Sequence, residues 1–261
     1  MNIIIPMAGY SRRFKKFGYK DLKPFINIDG KYMIQRVCEM FSPNDHFVFV
    51  CNKEHFKENP EYREILSNVT KNFDICEIDP HEEGPVYSTL QAKNYIKNPE
   101  EPIIITYCDF TVKWNYEQFL RKSSQYEGAL AVFKGFHPAS YGDTYYAYVR
   151  ENKNMEMLEL REKQSFTNDR ANEYASTGIY YLENWFLFEK YATELLKNKD
   201  KVASEYYCSL IYNYFLRDNL KVGLYEVEKF ICWGTPEDLM EYMFWSEYFG
   251  EDLNHIMQKE I

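Results

Sequence analysis

The apolar run Asn2–Pro6 passes without a break into the small-residue turn Met7-Ala8-Gly9-Tyr10-Ser11-Arg12-Arg13-Phe14, and Lys23-Pro24-Phe25 follows. This reads as a strand delivering its C-terminal end into a loop of phosphate size. Ala8, Gly9 and Ser11 keep side-chain bulk away from the strand end, so successive N–H groups can converge on anionic oxygens. Arg13 and Lys23 bring two positive charges to the same mouth. A bound triphosphate is the ligand this arrangement suggests.

Downstream, apolar runs alternate with amphipathic stretches. Strands are expected at Asn2–Met7, His46–Cys51, Phe73–Ile78 and Pro102–Tyr107, and helices at Met33–Phe41, Asn59–Asn72 and Val86–Ile96. Repeated β-then-α units favour a mixed, mostly parallel sheet flanked by helices, an α/β fold. The continuous apolar character of Pro102–Tyr107 suits the middle of such a sheet. Further strands are expected at Gly128–Phe136, Tyr145–Val149, Met155–Leu160, Ser176–Leu182 and Leu220–Tyr225. Helices are expected at Trp185–Lys197 and Ser204–Arg217, with a last one from Pro236. With 261 residues, no repeat and no Gly/Ser linker, the chain is expected to form one domain over residues 1–261. A nucleotide-binding half would span about 1–125 and an acceptor-binding half about 126–261.

A net charge of −9 opposes a nucleic-acid groove, which needs a basic surface, so any anion must meet a locally basic site. No stretch approaches the roughly 20 apolar residues of a membrane span, and Met1 leads straight into the first strand; no membrane association and a cytoplasmic location are expected. Cys38, Cys51, Cys76, Cys108, Cys208 and Cys232 form no CxxC or Cys/His cluster and read as reduced thiols. His46, His55, His81, His137 and His255 are scattered and expected to be structural or on the surface.

Ligands of open α/β sheets sit at the carboxyl ends of the strands. Two loops qualify: Ala8–Arg13 after the first strand and Cys108-Asp109-Phe110 after the central one. Asp109 is well placed to hold Mg²⁺ against phosphate oxygens, since magnesium uses one or two carboxylates and completes its shell with phosphates and water. Taken alone, Asp109 is equally compatible with a helix N-cap, and Lys15-Lys16 with a solvated basic face.

MNIIIPMAG…SRRF…LKPFINIDGK resembles the opening of nucleotidyltransferases that couple nucleoside triphosphates to phosphorylated sugars or related small phosphates. Glu83-Gly84-Pro85 is similar to their base-recognition segment, and Asp109 falls at their metal aspartate. Glu162-Lys163 resembles their Glu-Lys pair, Thr177-Gly178-Ile179-Tyr180 their Gly-x-Tyr strand, and Ser204-Glu205-Tyr206-Tyr207 a Glu-containing helix start. Gly234-Thr235-Pro236 matches their late turn. The resemblance covers Asn2 to about Leu239 and is nearest to the branch of capsule and surface-glycan gene clusters. It implies a Rossmann-like nucleotide-diphospho-sugar transferase fold.

It also implies a Mg²⁺-dependent transfer in which an acceptor phosphate attacks the α-phosphorus and pyrophosphate leaves, for a capsular or surface polysaccharide precursor. Arg13, Lys23, Asp109 and Lys163 would be catalytic, with Asp109 the metal ligand. The nucleotide-binding set would be Met7, Ala8, Gly9, Tyr10, Ser11, Arg12, Glu83, Gly84, Pro85, Ser88 and Cys108. Tyr146, Glu162, Thr177, Gly178 and Glu205 would bind the acceptor. Gly142-Asp143-Thr144 is a candidate acceptor loop, and Tyr145, Tyr148, Tyr180, Tyr181, Tyr206 and Tyr207 are divided between acceptor pocket and sheet packing.

Two departures from the family pattern stand out. Ser11-Arg12 replace a glycine and a small residue, which predicts a less open phosphate cradle with Arg12 reaching the triphosphate. Ile231-Cys232-Trp233 stands where thymidylyl- and uridylyltransferases place an aspartate, leaving Glu205 as a substitute carboxylate. That second departure resembles cytidylyltransferases of capsule modification, including one acting on phosphorylated glutamine, and favours CTP over UTP or dTTP. A non-catalytic nucleotide-binding regulator is the alternative; a glycosyltransferase of related fold is disfavoured because Asp109-Phe110-Thr111 lacks the second aspartate of Asp-x-Asp. The aromatic C-terminal helix with Met243, Phe244, Trp245, Tyr248 and Phe249 is either an internal packing face or the interface of a homo-oligomer.

Overall fold

The computed structural model describes residues 1–135 and 146–250. The first half lays down β1 (Asn2–Pro6), α1 (Arg12–Lys16), the short hairpin β2 (Asn27–Ile28) and β3 (Lys31–Tyr32), then α2 (Met33–Cys38) and β4 (His46–Asn52). There follow α3 (Lys53–Glu58), α4 (Glu61–Val69), β5 (Phe73–Ile78), α5 (Pro85–Leu90), β6 (Ile103–Thr106), β7 (Phe110–Lys113) and α6 (Tyr116–Ser123). The second half contributes β8 (Gly128–Phe133), β9 (Ala147–Glu151), β10 (Met157–Glu162), β11 (Tyr174–Leu182), α7 (Trp185–Asn198), α8 (Ile211–Arg217), β12 (Val222–Glu226), β13 (Lys229–Cys232) and α9 (Pro236–Phe249).

One sheet runs through both halves in the order β10-β9-β11-β6-β1-β4-β5, with β8 pairing β11 and β12. Pairing is parallel across β6-β1-β4-β5 and between β8 and β12, and antiparallel around β11. The mixed α/β sheet expected from the sequence is present. Alternation along β1 and β4 explains why helices cover both faces: Ile4, Val48 and Val50 enter one apolar cluster, whereas Ile3, Ile5, Phe47 and Phe49 enter another. Each such fully buried side chain contributes about 1.5–3 kcal/mol relative to exposure. A third cluster joins Phe14 of α1 to Ile26, Ile28, Met33, Trp233 and Leu239 of α9. The signature loop and the C-terminal helix therefore rest on the same apolar support.

Two expectations need correction. The helix expected over Ser204–Arg217 begins as a 3₁₀ turn at Cys208–Leu210 and becomes α-helical only at Ile211. Residues 202–205 instead close a tight bridge, with Ala203 and Ser204 at positive φ. Tyr206 N donates to Glu83 O at 2.9 Å and Tyr206 O accepts from Val86 N at 3.1 Å, so tertiary backbone bonds override local helicity here. Similarly, the helix expected over Val86–Ile96 ends at Leu90 and continues as a 3₁₀ turn, Gln91–Tyr95. The strands β7 and β13, unanticipated from the sequence, pair antiparallel and carry the chain past Asp109 and into the late Gly-Thr-Pro turn. All six cysteines are free, and no helix among the described residues is long and apolar enough to cross a membrane.

Candidate active site

A cleft of about 660 Å³ opens at the carboxyl ends of β1 and β6. On its floor lies the loop after β1, where Met7 and Ala8 are buried and offer backbone, and a Cβ on Gly9 would meet nothing within 4 Å. The cradle thus stays open above Gly9 despite the serine beside it. Ser11 takes the left-handed conformation (φ 54°, ψ 32°) that a glycine adopts without cost. Its hydroxyl accepts from Lys23 N at 2.9 Å, tying the loop to the Lys-Pro segment. Arg12 is exposed; it pairs with Glu82 on the other wall and lies 5.1 Å over the Tyr10 ring. Arg13 lies on the same rim, near Tyr207, whose hydroxyl is pushed up by burial and by Glu205, with the Arg13 charge only partly opposing them.

At the centre, Lys23 Nζ donates to Asp109 Oδ2 at 2.6 Å. Burial alone would lower the lysine pKa; the Asp109 carboxylate outweighs it and carries the ammonium above its ordinary value. Asp109 stands between β6 and β7, and Trp233 N donates to Asp109 O at 2.8 Å, tying this loop to the segment that follows β13. Asp238 in the first turn of α9 brings a carboxylate near Asp109, while Glu205, in the same cleft, is held by the Tyr207 hydroxyl. A Cβ on Gly234 would lie 3.4 Å from Asp109 Oδ2 and 4.0 Å from Asp238 Oδ2, so both oxygens overlook one point. Thr235 and Asp238 form a reciprocal capping box that fixes this carboxylate. Burial raises its pKa, with the charge of Asp109 adding to the effect and the Thr235 bonds opposing it. At the position of the expected late aspartate, Cys232 is pushed up to about 12 by burial and by Asp109 and Asp238, and remains a neutral thiol. Cys108 is likewise held near 12 by burial and contributes no charge.

On the wall built by β10 and the segment before α8, Lys163 Nζ donates to Tyr207 Oη, which donates to Glu205 Oε2, each at 2.5 Å. Glu162 accepts from Ser209 Oγ at 2.5 Å, and burial raises its pKa to about 7. Tyr146 enters beside Cys232, its hydroxyl pushed up by burial and the nearby acids. Thr177 lines the cleft, but its hydroxyl donates to Ala131 O, leaving backbone as its offering. At Gly178, φ is +99° and a Cβ would stand 3.0 Å from the Tyr107 ring. Gly84 (φ +93°, ψ −176°) lets the base-side turn pack on Glu205 and Tyr206, where a Cβ would approach to 2.9 Å.

Met7–Arg13, Lys23, Gly84, Pro85, Ser88, Cys108, Asp109, Tyr146, Glu162, Lys163, Thr177, Gly178 and Glu205 all line this cleft. Glu83 does not: its carboxylate turns outward to Lys201 Nζ at 2.7 Å, and Glu82 takes the wall position. The sequence reading missed Asp238, whose signal was the Thr-x-x-Asp box after Gly234. His81 lines the cleft as well, with Nε2 2.9 Å from Ser88 Oγ and Nδ1 accepting from Glu83 N at 3.1 Å, bonds that fix the turn before α5. Tyr180 and Tyr207 face the cleft, whereas Tyr148, Tyr181 and Tyr206 are core. Residues 142–145 and the histidines His137 and His255 lie outside the described residues.

The fold is shared with solved structures. The nucleoside-diphosphate-sugar pyrophosphorylase of Vibrio cholerae RC9 superposes with a TM-score of 0.75 at 19% identity, covering 93% of this chain and 99% of that one. The inositol-1-phosphate CTP transferase of T. maritima gives 0.68 at 15%, covering 93% and 95%. No curated protein matches the sequence. Residues 2–241 match the Nucleotidyl transferase family. That span holds both central loops, both facing carboxylates and the acceptor-side lysine, and the chain belongs to the nucleotidyl transferase family.

Proposed function

We propose that this nucleotidyltransferase joins CTP to a small phosphorylated acceptor, releasing pyrophosphate and supplying an activated precursor for a surface polysaccharide. The observation that carries this reading is the paired Lys23 and Asp109, faced by Asp238 and flanked by Arg13 and Lys163 in one cleft. Backbone N–H groups of Ala8–Arg12 would hold the β- and γ-phosphates, and Arg13 would meet the charge growing on pyrophosphate. Lys23 would clamp the α-phosphate, and Lys163 would orient the acceptor phosphate. An acceptor oxygen then forms the new bond to the α-phosphorus as the bond to the bridging oxygen breaks. The nucleophile is ionised near neutral pH, so positioning and charge stabilisation suffice without a general base.

Asp109 and Asp238 fit Mg²⁺, which favours one or two carboxylates and leaves its other positions to phosphates and water. Bound there, it would neutralise phosphate charge. CTP is favoured because Ile231-Cys232-Trp233 stands where thymidylyl- and uridylyltransferases carry an aspartate. A panel of CTP, UTP, dTTP, ATP and GTP against sugar 1-phosphates, polyol phosphates and amide-bearing phosphates, scored by pyrophosphate release, tests the assignment. Fastest release with CTP supports it; preference for another base removes the CTP assignment, and no release with any pair removes the reaction.

A further inference from the structure

Residues 202–207 touch both walls of the cleft. Val202 and Glu205 exchange backbone bonds at 3.0 and 3.1 Å, which closes the segment on itself with Ala203 and Ser204 at positive φ. Its backbone is then tied to the turn at Gly84: Tyr206 N donates to Glu83 O, Val86 N donates to Tyr206 O, and a Cβ on Gly84 would stand 2.9 Å from Glu205 Cβ. One residue on, Tyr207 leaves that wall and reaches the end of β10. Lys163 there takes a left-handed backbone (φ 55°) and donates its N–H to Tyr146 O at 2.9 Å, so its side chain starts from a fixed point beside the cleft. The Lys163 ammonium bonds Tyr207 Oη at 2.5 Å and lies 4.5 Å from the centre of the Tyr207 ring.

The direction of these bonds decides what they can do. A tyrosine hydroxyl has one proton and two lone pairs, whereas an ammonium only donates. Glu205 Oε2 takes the Tyr207 proton at 2.5 Å, which turns the lone pairs of the hydroxyl toward Lys163. Burial and the Glu205 charge push the hydroxyl pKa up, so the proton stays on Tyr207. A free lysine spreads its charge over many rotamers, and recognition of a phosphate needs the ammonium in one place. The hydroxyl and the face of the ring together confine it. Lys163, Tyr207 and Glu205 all line the opening, so the confined ammonium stays within reach of a ligand.

We infer that Tyr207, backed by Glu205, is a positioning residue that sets the Lys163 ammonium where the acceptor phosphate arrives; this rests on Lys163 being the ligand of that phosphate. Pyrophosphate release is measured with the nucleoside triphosphate and the sugar, polyol or amide-bearing phosphate that wild type turns over fastest. Tyr207→Phe keeps the ring and loses the hydroxyl. Its acceptor KM should rise about tenfold, the effect of one hydrogen bond to a charged group, with the nucleotide KM and the melting temperature unchanged. Lys163→Ala should raise the acceptor KM further, and the double variant should be no worse than Lys163→Ala, because Tyr207 acts through the lysine. Glu205→Gln still offers an oxygen to the hydroxyl and should stay close to wild type, whereas Glu205→Ala should repeat Tyr207→Phe. A wild-type acceptor KM in Tyr207→Phe, an equal rise in both KM values, or effects that multiply in the double variant overturns the inference and leaves the role of Lys163 standing. An acceptor KM untouched by Lys163→Ala overturns both.

Discussion

Lys23 and Asp109 are the residues on which the proposed chemistry turns. Lys23→Ala removes the ammonium proposed to meet the α-phosphate and should reduce turnover by about 10²-fold or more, in line with losing a preorganised charge donor. Thermal unfolding should scarcely change; a variant of normal activity would contradict the role. Asp238→Asn keeps a capping oxygen but removes the charge facing Asp109. It should raise the Mg²⁺ concentration needed for half-maximal activity while leaving the melting temperature nearly unchanged. Glu162 sets a pH dependence of stability. Its pKa is raised by burial from 4.5 to about 7, so the unfolded chain ionises first. Stability should fall as pH rises from 4.5 through 7, by about 3 kcal/mol from this group. Glu162→Gln should flatten that decline in melting temperature, and an identical slope in both proteins would refute it.

At the scale of elements, the turn at Gly84 holds one wall of the cleft against the segment around Tyr206. Gly84 sits in a conformation essentially reserved for glycine, with backbone of Tyr206 where a Cβ would be. Gly84→Ala should cost about 2–4 kcal/mol, lowering the melting temperature by roughly 5 °C or more. The strands β1, β4 and β6 were legible because uninterrupted apolar runs leave few alternatives to a buried strand. The extended course at Tyr206 was not, since its backbone partners, Glu83 and Val86, are more than a hundred residues away. The same holds for β7 and β13, four-residue strands defined only by each other. Asp238 escaped for a related reason: the expected carboxylate was sought before Gly234, whereas the fold supplies it one helical turn after.

Across the whole molecule, the large sheet brings a loop near residue 10, an aspartate at 109 and a lysine at 163 to a common opening, and the separate β7-β13 pair leads into the first turn of α9, which adds Asp238. Sequence motifs identified most of these positions, but only the three-dimensional arrangement separates Glu82 from Glu83 and Asp238 from Glu205. The proposed reaction at this opening makes a phosphoanhydride between a nucleotide and an acceptor. Phosphorus NMR of a reaction containing CTP, Mg²⁺ and a panel of acceptor phosphates reads that bond directly. Free pyrophosphate is expected, together with a pair of coupled diphosphate resonances that Lys23→Ala fails to produce. Unchanged CTP with every acceptor, or cytidine monophosphate formed without a linked acceptor, would contradict it.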